Sequence, residues 1–251
     1  MEKQACKTSA LLIIGNEILS GRTQDKNVQY IAEKMAGHGV PLSEVRVIAD
    51  IEDVIVQSLN DLRALYDFVF TTGGIGPTHD DITAASVAKA FGVSFGRHHA
   101  AYKVLENYYG DALTDARASM AEMPIFDGLK LIDNPVSGAP GFNIGNVFVM
   151  AGVPKIMQAM FDNVLDMIES GAPVISVTVM VERPESEIAH ILSFVQASFS
   201  SVDIGSYPQF KQGEGWGVSV VLRCVDGEVL KAAQRALEEA FVNDGIDIRY
   251  L

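Results

Sequence analysis

Apolar residues recur along the chain in two alternating rhythms. Thr8 to Ile14 is an apolar run of strand length, and after a polar, glycine-bounded loop the positions Val28, Ile31, Ala32 and Met35 return at helical spacing. Gly37 and Gly39 stop that helix, Val40 to Ala49 reads as a second strand, and Val54, Ile55, Leu59, Leu62 and Leu65 mark a second helix. A third strand, Phe68 to Thr71, runs into a glycine-rich loop. The helix after it opens with Asp80 and Asp81 and continues through Ile82, Ala85, Val87, Ala88 and Phe91. Strands apolar on both faces, alternating with amphipathic helices, predict an α/β domain: three layers around a mostly parallel sheet.

From Arg97 to Met123 the spacing predicts an inserted pair of helices. Leu129 to Ile132 reads as a short strand, Phe142 to Ile144 and Val147 to Met150 as a hairpin around Gly145-Asn146, and a last helix runs from Pro154 to about Ser170. The pattern restarts after Gly171-Ala172-Pro173. Strand Val174 to Val181, helix Pro184 to Phe199, a short strand Val202 to Ile204, a longer one Val218 to Val225 and helix Gly227 to Phe241 form a smaller α+β unit. The expected domains are therefore 1–170 and 171–251. The second has no glycine loop or metal-ligand spacing of its own, and reads as a support or oligomerisation module.

Composition narrows the function classes. The 251 residues are 48% apolar with 2 cysteines, which suits a globular protein and not a disulfide framework. Cys6 and Cys224 read as reduced core thiols. The net charge of −13 spreads over both halves, so a phosphate backbone is repelled and nucleic acid is not an expected partner. No apolar run approaches the ~18 residues that cross a bilayer, and the N-terminal residues lack the apolar core of a signal peptide. A cytoplasmic protein without membrane contact is expected.

The candidate chemistry lies in loops that follow strands. Three glycines within four residues, Gly73, Gly74 and Gly76, sit between a strand and a helix. There, backbone N–H groups can converge on an anion, with Thr72 and Thr78 adding hydroxyls. A tight structural turn with acidic helix-capping residues explains the same string, and both readings stand. Gly15, Asn16 and Glu17 follow the first strand, Asp50 follows the second, and Gly152 follows a later one. All fall at the carboxyl edge of a parallel sheet, where ligands collect. Carboxylates of Glu17, Asp50, Asp80 and Asp81 beside phosphate-directed amides make sense if a hard divalent cation bridges carboxylate and phosphate oxygens.

Gly-Asn-Glu-Ile-Leu-Ser-Gly at 15–21, Asn27, Asp50, Thr-Gly-Gly-Ile-Gly-Pro-Thr-His-Asp-Asp-Ile-Thr at 72–83, Gly-Ala-Pro-Gly at 138–141 and Ala-Gly-Val-Pro-Lys-Ile-Met at 151–157 resemble the molybdopterin-binding (MoCF biosynthesis) domain family. The pattern is that of the branch found in the N-terminal half of the competence/damage-inducible protein CinA and in the N-terminal domain of FAD synthase. Ile204-Gly205-Ser206-Tyr207-Pro208 is similar to the segment that follows this domain in FAD synthase.

The resemblance implies loops that bind a pterin or nucleotide phosphate, with Gly138 and Gly141 among them, and at least a dimer. It places Asp81 and Asp50 in a catalytic site. It also implies metal-dependent hydrolysis of the pyrophosphate of FAD or ADP-ribose, with Asp50, Asp80 and Asp81 holding Mg, Mn or Co. The alternative is a receptor for molybdopterin or a nucleotide without turnover. Two departures bear on the choice: Ala151 stands where the family has proline and Ile156 where it has glutamate. The resemblance stops short of the amidohydrolase and adenylyl-transfer domains that are fused to this one in CinA and FAD synthase, so neither activity is expected of these residues.

Overall fold

A computed structural model of the chain describes residues 7–211 and 215–250. Cys6 and Gly213 lie outside the described residues. The chain divides into two compact units, Met1–Gly171 and Ala172–Leu251.

The first unit opens with β1 (Ser9–Ile14), α1 (Asn16–Leu19), α2 (Asn27–Gly37), β2 (Leu42–Ile48), α3 (Glu52–Leu65), β3 (Phe68–Thr72) and α4 (Thr83–Phe91). It continues with β4 (Ser94–Arg97), α5 (His99–Tyr109), α6 (Asp115–Ala118), β5 (Glu122–Ile125), β6 (Lys130–Ile132), β7 (Gly141–Ile144), β8 (Val147–Met150) and α7 (Pro154–Leu165). Six strands form one sheet in the order β2-β1-β3-β8-β7-β6. β2, β1, β3 and β8 are parallel, and β7 runs against both its neighbours.

Alternate residues of β1 explain why both faces are covered. Ala10, Leu12 and Ile14 pack with Ile55, Leu59, Leu62, Val87 and Leu105 on one side. Leu11 and Ile13 pack with Ile31, Met35, Met157, Phe161 and Val164 on the other. The result is the three-layer α/β architecture that the sequence pattern predicts. Phe70 anchors the second face, with its ring centroid 5.1 Å from that of Phe161 and 5.7 Å from that of Phe148.

The structure corrects several boundaries. Residues 97–123 are not a plain helical pair, because β4 and β5 close them off as a two-stranded antiparallel ribbon. Between these strands α5 is the only long helix, and α6 is one turn flanked by 3-10 turns. α7 ends at Leu165, short of Ser170. The aspartate pair does not open α4, which starts at Thr83 after an Ile82 cap. The Thr83 N–H donates instead to the carbonyl of Gly74 at 2.9 Å, tying the helix to the glycine loop.

The second unit comprises β9 (Ile175–Val181), α8 (Glu185–Ser198), β10 (Asp203–Lys211), β11 (Gly215–Cys224), α9 (Gly227–Asn243) and β12 (Ile248–Tyr250). Its sheet is antiparallel, in the order β10-β11-β9-β12. Val179, Val181, Val218, Val220 and Leu222 pack under Ile188, Val195, Leu230, Leu237 and Phe241. Asp226 caps α9, its Oδ1 accepting the N–H groups of Glu228 and Val229 at 2.9 and 3.2 Å. β10 is longer than the short strand Val202 to Ile204, and β12 was not anticipated. Both are edge strands that find their register by pairing with a long central partner. The backbone of Trp216 lies within β11. Cys224 is a buried free thiol. No helix among the described residues is long and apolar enough to cross a membrane.

Candidate functional site

Because β2, β1, β3 and β8 all run the same way, the loops that leave them emerge at one edge. The loop that leads into antiparallel β7 arrives at the same edge. These loops surround a cavity of about 620 Å³ lined by segments drawn from Ile14 to Ile156, a volume suited to a nucleotide-sized ligand.

The β3–α4 loop forms its centre. Gly73 and Gly74 have φ of 102° and 68°, and a Cβ on either would stand 2.1 Å from the Ile14 carbonyl oxygen or 2.2 Å from Thr83 Oγ1. Only glycine fits at these two positions. The Gly73 N–H is spent on the Met150 carbonyl at 3.1 Å, which corrects the expectation that it points at a ligand. The N–H groups of Gly74, Ile75 and Gly76 donate to no acceptor among the described residues.

Asp81 folds back over Gly76, where a Cβ would lie 2.6 Å from its Oδ2. That oxygen accepts the Thr78 N–H at 2.8 Å and faces the Thr78 hydroxyl at 2.6 Å. The same hydroxyl lies 2.6 Å from Asp80 Oδ1, and together with the Asp80 backbone N–H it holds the Asp80 carboxyl below its ordinary range. In the loop after β2, Asp50 Oδ2 accepts the Asn16 N–H at 2.9 Å. Asn27 Nδ2 donates to the Gly152 carbonyl at 2.9 Å and fixes the loop after β8. A Cβ on Gly152 would stand 3.1 Å from the Gly73 Cα, so the two loops need glycine to meet.

Of the residues singled out in the sequence, Glu17, Asp50, Gly73, Gly74, Gly76, Thr78, Asp80, Asp81 and Gly152 line this one cavity. Gly15, Asn16, Thr72, Gly138 and Gly141 do not, and each has a local reason. Gly15 donates its N–H to the Ile48 carbonyl and lies under the Glu17 carboxylate. The Asn16 N–H is taken by Asp50. Thr72 is buried, and its hydroxyl finds no partner among the described residues. Gly138, with φ of 75°, leaves room for the Tyr108 ring, and Gly141 for the Val149 carbonyl on the paired strand.

Other lining residues escaped the sequence reading: Thr23, Arg117, Met120, Asn134 and Ser137. Tyr109 on α5 also lines the cavity. Asn134 carried the one usable signal, since an Asn-Pro dipeptide marks a turn. Its Oδ1 accepts the N–H groups of Val136 and Ser137, and its Nδ2 donates to Ser137 Oγ and the Ala139 carbonyl.

Residues 10–170 match the family described as the probable molybdopterin binding domain, and residues 173–248 match the FAD synthase middle domain. The chain belongs to the molybdopterin-binding domain family. A protein of Archaeoglobus fulgidus is 33% identical over 93% of this chain and 97% of its own length. A probable FAD synthase of Caenorhabditis briggsae is 28% identical over 94% of the chain, and a putative competence-damage inducible protein of Clostridium botulinum is 30% identical over 81%. The chain spans 50% and 52% of these two relatives. A crystal structure of CinA from Thermoplasma acidophilum aligns with a TM-score of 0.60 and 34% identity, over 65% of this chain and 99% of that one.

A pterin-like or nucleotide ligand suits this family and this cavity. For a metal ion the donor set is less complete. Among the described residues no group of three His, Cys, Asp or Glu side chains stands close enough to hold an ion by itself. The Thr78 hydroxyl, however, has one hydrogen for two carboxylate oxygens, and Asp50 keeps one oxygen free of the Asn16 contact. The residues that carry these oxygens line the same cavity as Gly74, Ile75 and Gly76.

Proposed function

We propose that the first unit binds a pyrophosphate-containing nucleotide, FAD or ADP-ribose or a relative, in this cavity and hydrolyses its pyrophosphate with the help of a divalent ion. The observation that carries the reading is the meeting of the unspent Gly74, Ile75 and Gly76 amides with Asp50, Asp80 and Asp81 around one cavity. The amides would hold phosphate oxygens without moving, since the loop is locked to α4 and β8. Asp81, oriented by the Thr78 N–H, together with Asp50 and Asp80 would hold Mg, Mn or Co. Such an ion polarises a phosphoryl oxygen and lowers the pKa of water.

The test is incubation with FAD, ADP-ribose and NADH in each of the three metals, reading AMP release. Asp81→Asn should lower release about 10²-fold or more with the circular dichroism spectrum unchanged. A receptor without turnover, for molybdopterin or a nucleotide, is the second reading. It is favoured by Ile156, an apolar side chain in the lining where the family carries glutamate. Saturable calorimetric binding with no AMP release in any metal would select it.

A further inference from the structure

Arg117 is the one basic residue among the described residues that line the cavity, and it shares that lining with the carboxylates of Glu17, Asp50, Asp80 and Asp81. An arginine in such company normally takes an acidic partner, yet this one forms no ion pair among the described residues. It is held by other means. Its guanidinium carbon lies 4.6 Å from the centroid of the Tyr109 ring, and Nη1 donates to the Ala112 carbonyl at 2.5 Å. Tyr109 is fixed in turn, its hydroxyl donating to the Ser137 carbonyl at 2.8 Å. The Thr114 hydroxyl accepts the Arg117 backbone N–H at 3.3 Å and anchors the turn that carries it.

A guanidinium has five N–H donors in a planar fork that matches phosphate oxygens. Ala112 uses one, and this bond together with the Tyr109 ring contact holds the guanidinium in place before any ligand arrives. We propose that Arg117 binds a ligand phosphate and that Tyr109 is its positioning residue. Arg117 on α6 and the unspent amides on the β3–α4 loop are two separate anion-binding groups. Together they select ligands with two linked phosphates over ligands with one. The proposal rests on reading the cavity as a phosphate site.

Calorimetric titration with ADP and with AMP in Mg²⁺ tests it, because the two differ by one phosphate. ADP should bind the native protein at least tenfold more tightly than AMP. Arg117→Gln should weaken ADP about tenfold or more and erase most of that preference. Arg117→Lys should restore part of the affinity, since charge returns without the fork. Tyr109→Leu should reduce the preference less than Arg117→Gln does. Equal melting temperatures of native and variant proteins separate these effects from misfolding. If native protein prefers ADP and Arg117→Gln keeps that preference within twofold, the role of Arg117 fails while the phosphate site stands. If native protein binds ADP, AMP and ADP-ribose not at all, both fail.

Discussion

β1 of the first unit is buried at all six positions and β8 at all four, whereas β9 of the second unit has two exposed residues and three of intermediate burial before its end. The first pattern belongs to a mostly parallel sheet between two helical layers, the second to an antiparallel sheet with one helix-covered face. The difference governs where chemistry can gather. Parallel strands send successive loops to one edge, so residues as distant as Ile14 and Ile156 line one cavity. The antiparallel sheet has no such shared edge. One surface groove in the second unit is lined by residues of α9 and β12 alone, among them Arg235, Glu238 and Glu239.

Core substitutions should test this contrast most strongly. Phe70→Ala removes a fully buried ring packed on Phe148 and Phe161, and should cost the first unit about 3–5 kcal/mol together with ligand binding. Phe241→Ala should cost the second unit a similar amount. Denaturant titration followed by hydrogen exchange would locate each loss. Loss of ADP-ribose binding in folded Phe241→Ala protein would break the contrast.

Glycines sharpen it at smaller scale. Gly74→Ala places a Cβ against Thr83 Oγ1 at a φ of 68° and should cost about 1–3 kcal/mol, with ADP-ribose binding weakened as the amides shift. Gly217→Ala in β11, whose nearest neighbour would be the Val181 carbonyl oxygen at 3.4 Å, should stay within about 0.5 kcal/mol. Thermal melting and calorimetry read both.

The smallest effect concerns Asp80. Its carboxyl is held low first by the Thr78 hydroxyl and then by its own backbone N–H. A depressed carboxylate stabilises the fold above its unfolded pKa, and the benefit is lost as pH falls through the folded value. Asp80 is exposed, so the change is best read as titration. In Thr78→Val the Asp80 carboxyl should titrate closer to its ordinary range, followed by carbon-detected NMR.

The order of strands and helices in the first unit could be read from the chain because each strand is a short apolar run and each helix has its own apolar stripe. The ribbon of β4 and β5 could not, since Ser94–Arg97 and Glu122–Ile125 become strands only by pairing with each other. The same holds for β12 and the length of β10. At the site, the glycine string and the aspartates stood out because their residue types are unusual together. Arg117 gave no signal, as nothing in its neighbours reveals that Tyr109 holds it at the cavity.

The amino-acid sequence by itself determined the family, the three-layer architecture and the edge at which the glycine-bearing loops collect, because these follow from local periodicity and contiguous motifs. Only the tertiary structure decided which motif residues face the cavity. Gly138 and Gly141 proved to be spacers for Tyr108 and Val149, and the Gly73 amide proved to be spent on Met150. Whether an N–H or a guanidinium is left over depends on partners far away in the chain. Long-range packing alone sets that balance.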